Sequence, residues 1–342
     1  MLLIVDGSAL AHTAFYASVP KGFYTAKTEA EQEFYYQYLQ KASNGTYTGA
    51  VEIFMDYLMK LIDDKNLNVE QVAIVFDKSR LSTFRAELYP AYKGQRPPKP
   101  EPLKKQIDYI KHLLRTTGFC VSEAAKYEAD DLAGMLSNHY CKETEVCILT
   151  KDKDYLQLVK DNVHVLMLRT SSDVRRLCEE YGADKKVLSN VYDYTRNVVV
   201  GELGVEPCQV ADLKAVSGDS SDNIPGVIGV SDKTIIPLLR AYGSLEAVYN
   251  ALDGANEDGT IEQLKKDWAY RFNVKPSYVQ ILFEGKQQAK FCLKLTRIVT
   301  DYNTNVPLDR LSVAHIDYTH LAAVLDSIDL AELCEKVKKN HC

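Results

Sequence analysis

Three short apolar runs in this chain each deliver aspartate at their C-terminal end. Leu2-Leu3-Ile4-Val5 precedes Asp6, Val72-Ala73-Ile74-Val75-Phe76 precedes Asp77, and Val146-Cys147-Ile148-Leu149-Thr150 leads to Asp152 and Asp154. Runs this short, apolar and without alternation read as strands buried on both faces of a parallel sheet. Strand C-termini of such a sheet gather at one edge, where ligands bind. Carboxylates collected there repel one another and lose hydration, a cost that bound cations offset. The expected site is one for a hard, oxygen-liganded metal, and Mg²⁺ in such a place implies phosphate chemistry.

Other acidic groups extend the set. Glu128-Ala129-Asp130-Asp131 opens a helical run, Leu132-Ala133-Gly134-Met135-Leu136. Acidic residues suit a helix N-terminus, but three carboxylates crowded there exceed what capping needs, so metal ligation is the expectation. Asp152-Lys153-Asp154 is weak alone, since Asp-x-Asp is common in solvated turns. Gly218-Asp219-Ser220-Ser221-Asp222-Asn223-Ile224-Pro225-Gly226 is more specific, placing two aspartates before an Ile-Pro-Gly turn. The candidates are nine: Asp6, Asp77, Glu128, Asp130, Asp131, Asp152, Asp154, Asp219 and Asp222. One hydrated Mg²⁺ does not need nine ligands. Two ions about 3.5–4 Å apart, clamping the attacking and leaving oxygens of a displacement, account for the excess.

The elements that must position these groups alternate between strand and helix, which indicates an α/β layer architecture. Strands are expected at 2–5, 72–76 and 146–150. Amphipathic helices are expected at 51–62 and 103–115, the second closed by Gly118. Residues 89–102, rich in proline, read as an exposed loop or arch. Residues 21–45 are rich in tyrosine and charge, with a helix expected near 30–42. Beyond Gly201 the strand signals fade, and the chain reads as helical with turn-rich joints at 217–233 and 252–260.

Composition sets the outer bounds. At 342 residues, 46% hydrophobic and 26% charged, the chain reads as a soluble globular protein with room for two domains. No apolar run approaches the ~18–20 residues needed to cross a bilayer. The N-terminal segment lacks a charged n-region, so a cytosolic location is expected. Eight scattered cysteines without a C-x-x-C pair argue against zinc and for reduced thiols. The net charge of −6 by itself opposes a polyanionic partner. Its distribution does not. Residues 78–115 hold ten basic side chains (78, 80, 85, 93, 96, 99, 104, 105, 111, 115) against three acidic ones, the footprint of phosphate-backbone binding or of a solvated helix face.

The motifs taken together resemble the flap endonuclease family, most closely the 5′→3′ exonuclease module of bacterial DNA polymerase I. The matching pieces are Val5-Asp6-Gly7-Ser8 with Ala14-Phe15-Tyr16-Ala17; Phe76-Asp77 with Thr83-Phe84-Arg85 and Tyr92-Lys93-Gly94-Gln95-Arg96; Glu128 to Asp131; Asp152-Lys153-Asp154 with Gln157-Leu158; and Gly218 to Gly226. Val227-Ile228-Gly229-Val230-Ser231-Asp232-Lys233-Thr234 follows, similar to the family's helix–three-turn–helix. The resemblance covers about residues 1–310, and a stand-alone nuclease without a polymerase domain is expected.

It implies an α/β fold: a mostly parallel central sheet with helices on both faces, a PIN-like 5′ nuclease core spanning 1–200. A helical arch is implied at about 78–115 and an insertion at about 21–45. A helical DNA-binding region at 201–310 completes it, and beyond the resemblance a helical tail is expected at 311–342. Asp6, Asp77, Glu128 and Asp130 would correspond to ligands of the first Mg²⁺. Asp131, Asp152, Asp154, Asp219 and Asp222 would be associated with the second, Mn²⁺ being able to substitute. Lys93 and Arg96 would reach the scissile phosphate, Arg85 would position the strand, and Gly226, Gly229 and Lys233 would hold the duplex, with K⁺ often bound there in the family.

Departures exist: Thr13 replaces the family's usual arginine, His12 stands where an aromatic ring often stacks on a base, and Ser231 replaces a common glycine. The implied activity is two-metal hydrolysis of DNA near a free 5′ end, flap or nick, including RNA-primed ends, during Okazaki-fragment maturation or repair. Its rivals are a junction-binding protein with weak catalysis and a metal-dependent ribonuclease.

Overall fold

A computed structural model describes residues 1–79, 81–183, 187–301 and 307–342; Arg80 of the basic stripe lies outside the described residues. Six strands form one sheet: β1 (Leu2–Asp6), β2 (Gln71–Asp77), β3 (Cys120–Ala124), β4 (Val146–Thr150), β5 (Val163–Leu168) and β6 (Val191–Tyr194), in the order β3-β2-β1-β4-β5-β6. The first five run parallel and β6 pairs antiparallel with β5. Side chains alternate between faces along a strand. Leu2 and Ile4 therefore enter one apolar layer, Leu3 and Val5 the other. Both layers are covered, which is why the β1 residues are apolar without a break.

Helices Gly7–Ser18, Gly49–Ile62 and Glu101–Thr116 cover one face. Helix Ala129–Tyr140, the 3₁₀ turn Lys153–Leu158 and much of the helical region after residue 200 cover the other. The sheet order reverses about β1, so β1 and β4 flank a switch point, and a crevice opens outside their carboxyl ends. Asp6 closes β1 and Asp152 lies two residues beyond β4.

Two expectations are corrected and a third holds with one exception. The helix expected near 30–42 is shorter, Glu29–Tyr35, followed by a 3₁₀ turn at Tyr36–Tyr38. Thr28 caps its start by accepting the Glu31 amide, and the aromatic run 34–36 has little helix propensity to carry it further. The joint expected at 252–260 is mostly helix, because Leu245–Glu257 runs through it. The 89–102 segment is an exposed loop at 90, 91 and 94–98, as expected, but Tyr92 within it is buried.

The tail packs back on the sheet region. Val313 N–H donates to Glu70 O at 3.0 Å and Asp317 N–H to Thr117 O at 2.9 Å. Helices Tyr318–Ser327 and Ala331–His341 place Leu321, Leu325 and Leu333 in the same apolar layer as helix Gly49–Ile62. The insertion is docked as well: Phe23, Leu39 and Ala42 are buried, and Ser43 N–H donates to Asp329 Oδ2 of the tail at 2.6 Å. Gly118 adopts φ +89°, and the His315 carbonyl lies where a Cβ would stand, so glycine is required there. Leu321→Ala is expected to cost about 2–5 kcal/mol in urea unfolding of the full chain. A change within about 0.5 kcal/mol would show that the tail contributes nothing to the core.

Candidate active site

Asp6 caps helix Gly7–Ser18: one oxygen accepts the Ala9 amide at 2.9 Å, the other the Thr150 hydroxyl at 2.9 Å. Burial, then the neighbouring Asp77, pushes its pKa up to about 7 against those two bonds. Asp77 accepts the Ala129 amide at 2.9 Å, and its own amide donates to Ser8 Oγ at 3.0 Å. Burial pushes its carboxyl up too, but the Ala129 amide, Lys93 and Ser8 together outweigh that and hold it below its ordinary value. Asp130 is raised well above its ordinary value, chiefly by burial, because the nearby Arg85 does not offset burial and the charges of Asp131 and Glu128. Asp6 also feels Asp152.

The chain supplies cations of its own to this edge. Lys93 Nζ lies 2.6 Å from Glu128 Oε1 and 3.6 Å from Asp222 Oδ2, with its side chain 12% exposed. Those carboxylates keep its ammonium protonated to well above the usual lysine range despite burial, which alone would lower it. Arg96 pairs with Asp222 and donates from Nε to Ser221 O at 3.3 Å. Tyr92 Oη sits 2.9 Å from Glu128 Oε2 and 3.0 Å from Asp222 Oδ2. Lys93 is held at φ +52°, uncommon for a residue with a Cβ. The loop is latched to the acidic turn by Lys93 N–H to Asp222 O at 3.0 Å and by Asn223 Nδ2 to Ala91 O at 2.7 Å. Sequence reasoning gave Tyr92 no role, and it missed Lys214 altogether. Lys214 Nζ pairs with Asp154 and, at 2.7 Å, with Asp219 Oδ2. Only its place four residues before Gly218 could have signalled it.

Two residues do not stand where they were expected. Arg85 is 1% exposed and donates to Asp131 through both terminal nitrogens, at 2.6 and 2.8 Å. It also donates to Glu128 Oε2 at 3.2 Å, Leu295 O at 2.9 Å and Arg297 O at 2.9 Å. A guanidinium so enclosed cannot position a DNA strand. Asp131 is fully buried, and its oxygens also accept the Val299 amide at 2.9 Å and the Glu128 amide at 3.1 Å. With four donors on two oxygens, Asp131 is a helix cap and an arginine partner, and no lone pair is left for a metal.

An open cleft of about 1090 Å³ adjoins the carboxylates, lined by His12, Tyr24, Arg96, Lys151, Lys153 and Lys214 beside Asp152 and Asp219. Burial, then Lys99, pushes the His12 imidazole down to about 4, so the ring is neutral at physiological pH. Thr13 lines the cleft too, its hydroxyl turned back to Ala9 O at 2.9 Å.

In the turn that follows, Gly226 takes φ +65°, and a Cβ there would strike Gly218 and Val216 backbone, so its first demand is internal packing. Gly229, at φ +90°, is exposed and unobstructed. Ser231 precedes helix Asp232–Tyr242 without a side-chain cap bond, and Lys233 is exposed at its start.

Among the described residues, no three carboxylates, imidazoles or thiols converge as a ready-made cation cage. Several of the oxygens are engaged instead by Lys93, Arg96, Lys214 and Tyr92. The donor set still fits a hard divalent cation: it is all oxygen, and the penalty raising Asp6 is one that positive charge relieves.

The sequence and fold are those of a nuclease family. Residues 1–187 match the model of the 5′-3′ exonuclease N-terminal resolvase-like domain, and residues 205–319 that of the 5′-3′ exonuclease C-terminal SAM fold. The chain belongs to the 5′-3′ exonuclease family. It is 29% identical to a 5′-3′ exonuclease of Aquifex aeolicus over 99% of this chain and 95% of that protein. It is 31% identical to DNA polymerase I of Chloroflexus aurantiacus over 99% of this chain, spanning only 30% of that protein's length. The fold is shared with bacteriophage T5 5′-exonuclease solved with bound zinc ions, at TM-score 0.54 and 20% identity over 99% and 97% of the two chains. It is shared also with the T5 flap endonuclease in a complex with DNA and metal ions, at TM-score 0.55 and 20% identity over 99% and 98%.

Arg85→Met is expected to destabilise the chain by about 3–5 kcal/mol in urea unfolding, because it strands the buried Asp131 charge. Wild-type stability with loss of DNA affinity alone would restore Arg85 as a strand contact.

Proposed function

We propose that the chain is a Mg²⁺-dependent, structure-specific 5′ nuclease. It acts in the cytoplasm on DNA flaps, nicks and free 5′ ends, RNA-primed ends included, in replication or repair. The observation that carries this reading is the gathering of carboxylates from the ends of β1, β2 and β4, from helix Ala129–Tyr140 and from the 218–226 turn at the mouth of a cleft lined with lysine and arginine. Family membership supports it, as do the T5 relatives solved with metal ions and with DNA.

In this reading Asp6, Asp77, Glu128 and Asp130 hold one ion, and Asp152, Asp154, Asp219 and Asp222 a second. Two such ions, Mg²⁺ or Mn²⁺, supply Lewis acidity at the scissile phosphate. The chain's own residues do the rest. Lys93 and Arg96, already directed at Glu128 and Asp222, present positive charge where negative charge develops on the phosphate. Lys151 and Lys153 draw the strand into the cleft. His12 offers a neutral ring for a base to stack on. Gly229, with its open backbone, and Lys233 hold duplex phosphates without reading sequence, beside a site for K⁺.

The decisive measurement is cleavage of end-labelled flap, nicked and single-stranded DNA with Mg²⁺ or EDTA. Cleavage is expected only with the metal, and Asp152→Asn should slow it by at least about 10-fold while DNA affinity is kept. Wild-type turnover in Asp152→Asn, or cleavage in EDTA, rejects the metal assignment.

The insertion adds a junction-recognition surface to this reading. Tyr24 and Tyr38 are 61% and 60% exposed, and Tyr24 lines the cleft. Aromatic stacking is worth about 1–3 kcal/mol per base. The double substitution Tyr24→Ala with Tyr38→Ala should therefore change the ratio of flap to nick cleavage by roughly 5-fold or more. An unchanged ratio excludes the insertion from substrate choice.

A further inference from the structure

Tyr155 directly follows Asp154 in the 3₁₀ turn Lys153–Leu158, just beyond β4 at the acidic edge of the sheet. Its ring is 1% exposed and shares an apolar layer with Ile4, Val75, Tyr92 and Ala129. Its hydroxyl makes no hydrogen bond within the protein. The charges acting on it are those of Asp6, Asp130, Asp77 and Asp152, which add to burial in keeping the phenol protonated. A buried hydroxyl with no partner costs stability, and a phenyl ring would fill the same space without that cost. Tyr92 shows the contrast: its hydroxyl is buried too, yet it rests directly against Glu128 and Asp222.

A group that completes Tyr155 must lie among carboxylates, be small and polar, and be stable in strongly negative surroundings. A hydrated divalent cation meets all three conditions, because such ions keep part of their water on binding. Partners that orient a metal's surroundings from outside its ligands commonly govern affinity by about 10–100-fold.

We propose that Tyr155 Oη is a positioning group for the hydrated divalent cation assigned above to Asp6, Asp77, Glu128 and Asp130, hydrogen-bonding to water of its hydration shell. The inference rests on the metal reading above and adds a residue to it. Tyr155 touches neither the substrate nor the reacting atoms. It fixes the orientation of what the carboxylates hold.

The test compares the full chain with Tyr155→Phe, without DNA, by thermal unfolding in EDTA and by calorimetric titration with Mn²⁺. In EDTA the variant should melt at or above the wild-type temperature, since an unpartnered hydroxyl has been removed. Its Mn²⁺ affinity should fall roughly 10-fold. A purely structural tyrosine would give the opposite pattern: lower melting in EDTA, or Mn²⁺ affinity equal to wild type. Either result overturns the proposal. If the wild-type chain itself binds no Mn²⁺, the metal reading falls and this inference with it. Equal binding by both proteins removes the inference alone.

Discussion

Asp6 and Asp77 close two neighbouring parallel strands, and the pairing of Asp6 with Val75 sets Asp77 just beyond it on the same edge. Neither carboxylate can leave, because each is fixed by the strand that carries it and by the helix amide it accepts. Burial and mutual repulsion then act together, and the pKa of about 7 at Asp6 shows the size of the conflict. Like charges brought this close in a poorly hydrated place demand compensation. The rest of the site can be understood as the supply of it: backbone amides and hydroxyls at the first rank, Lys93, Arg96 and Lys214 at the second, and divalent ions in the proposed working state.

One compensating pair also ties the molecule together. Arg85 and Asp131 form a bidentate ion pair in the interior, and Arg85 further binds the carbonyls of Leu295 and Arg297 while Asp131 takes the Val299 amide. Gln157 grips the same strap, accepting the Ile298 amide and donating to Thr296 O. The segment after helix Lys286–Thr296 is thus sewn to the turns that carry Asp130 and Asp154. The apolar layer is continuous as well, running from Ile4 and Ala133 to Leu239 and Val279. The helical region and the sheet therefore share a core, and the acidic turn at 218–226 inherits its position from both.

Much of this was legible because the physics was local. β1, β2 and β4 announce themselves by unbroken apolar runs, and helix 103–115 by its apolar period. The edge strand β3, Cys-Val-Ser-Glu-Ala, is half-exposed throughout, so it carries no such signal. β6 is four residues long and mixes tyrosine with a buried aspartate, Asp193, bonded to His164. The carboxylate set was readable from its spacing, but which member serves as scaffold was not. Asp131 differs from Asp130 only in which way the helix turns it, and Arg85 looks like any other basic residue of the stripe until the strap 295–299 closes over it. Contacts across 210 residues, such as Arg85 to Leu295, leave no trace in local composition.

The latch between loop 89–96 and turn 218–226 follows from the same electrostatics. Lys93 and Arg96 reach the acidic edge because unpaired carboxylates there would be costlier than the strained backbone of Lys93 and the ordering of a proline-rich loop. Prolines lower that ordering cost, since fewer conformations are lost on closure. Under the proposed reading the latch carries a consequence. Divalent ions and a DNA phosphate bring their own charge balance, so Lys93 and Arg96 lose part of their hold on Glu128 and Asp222 and gain a new acceptor. In that reading the two side chains that balance Glu128 and Asp222 would also be the donors to the substrate.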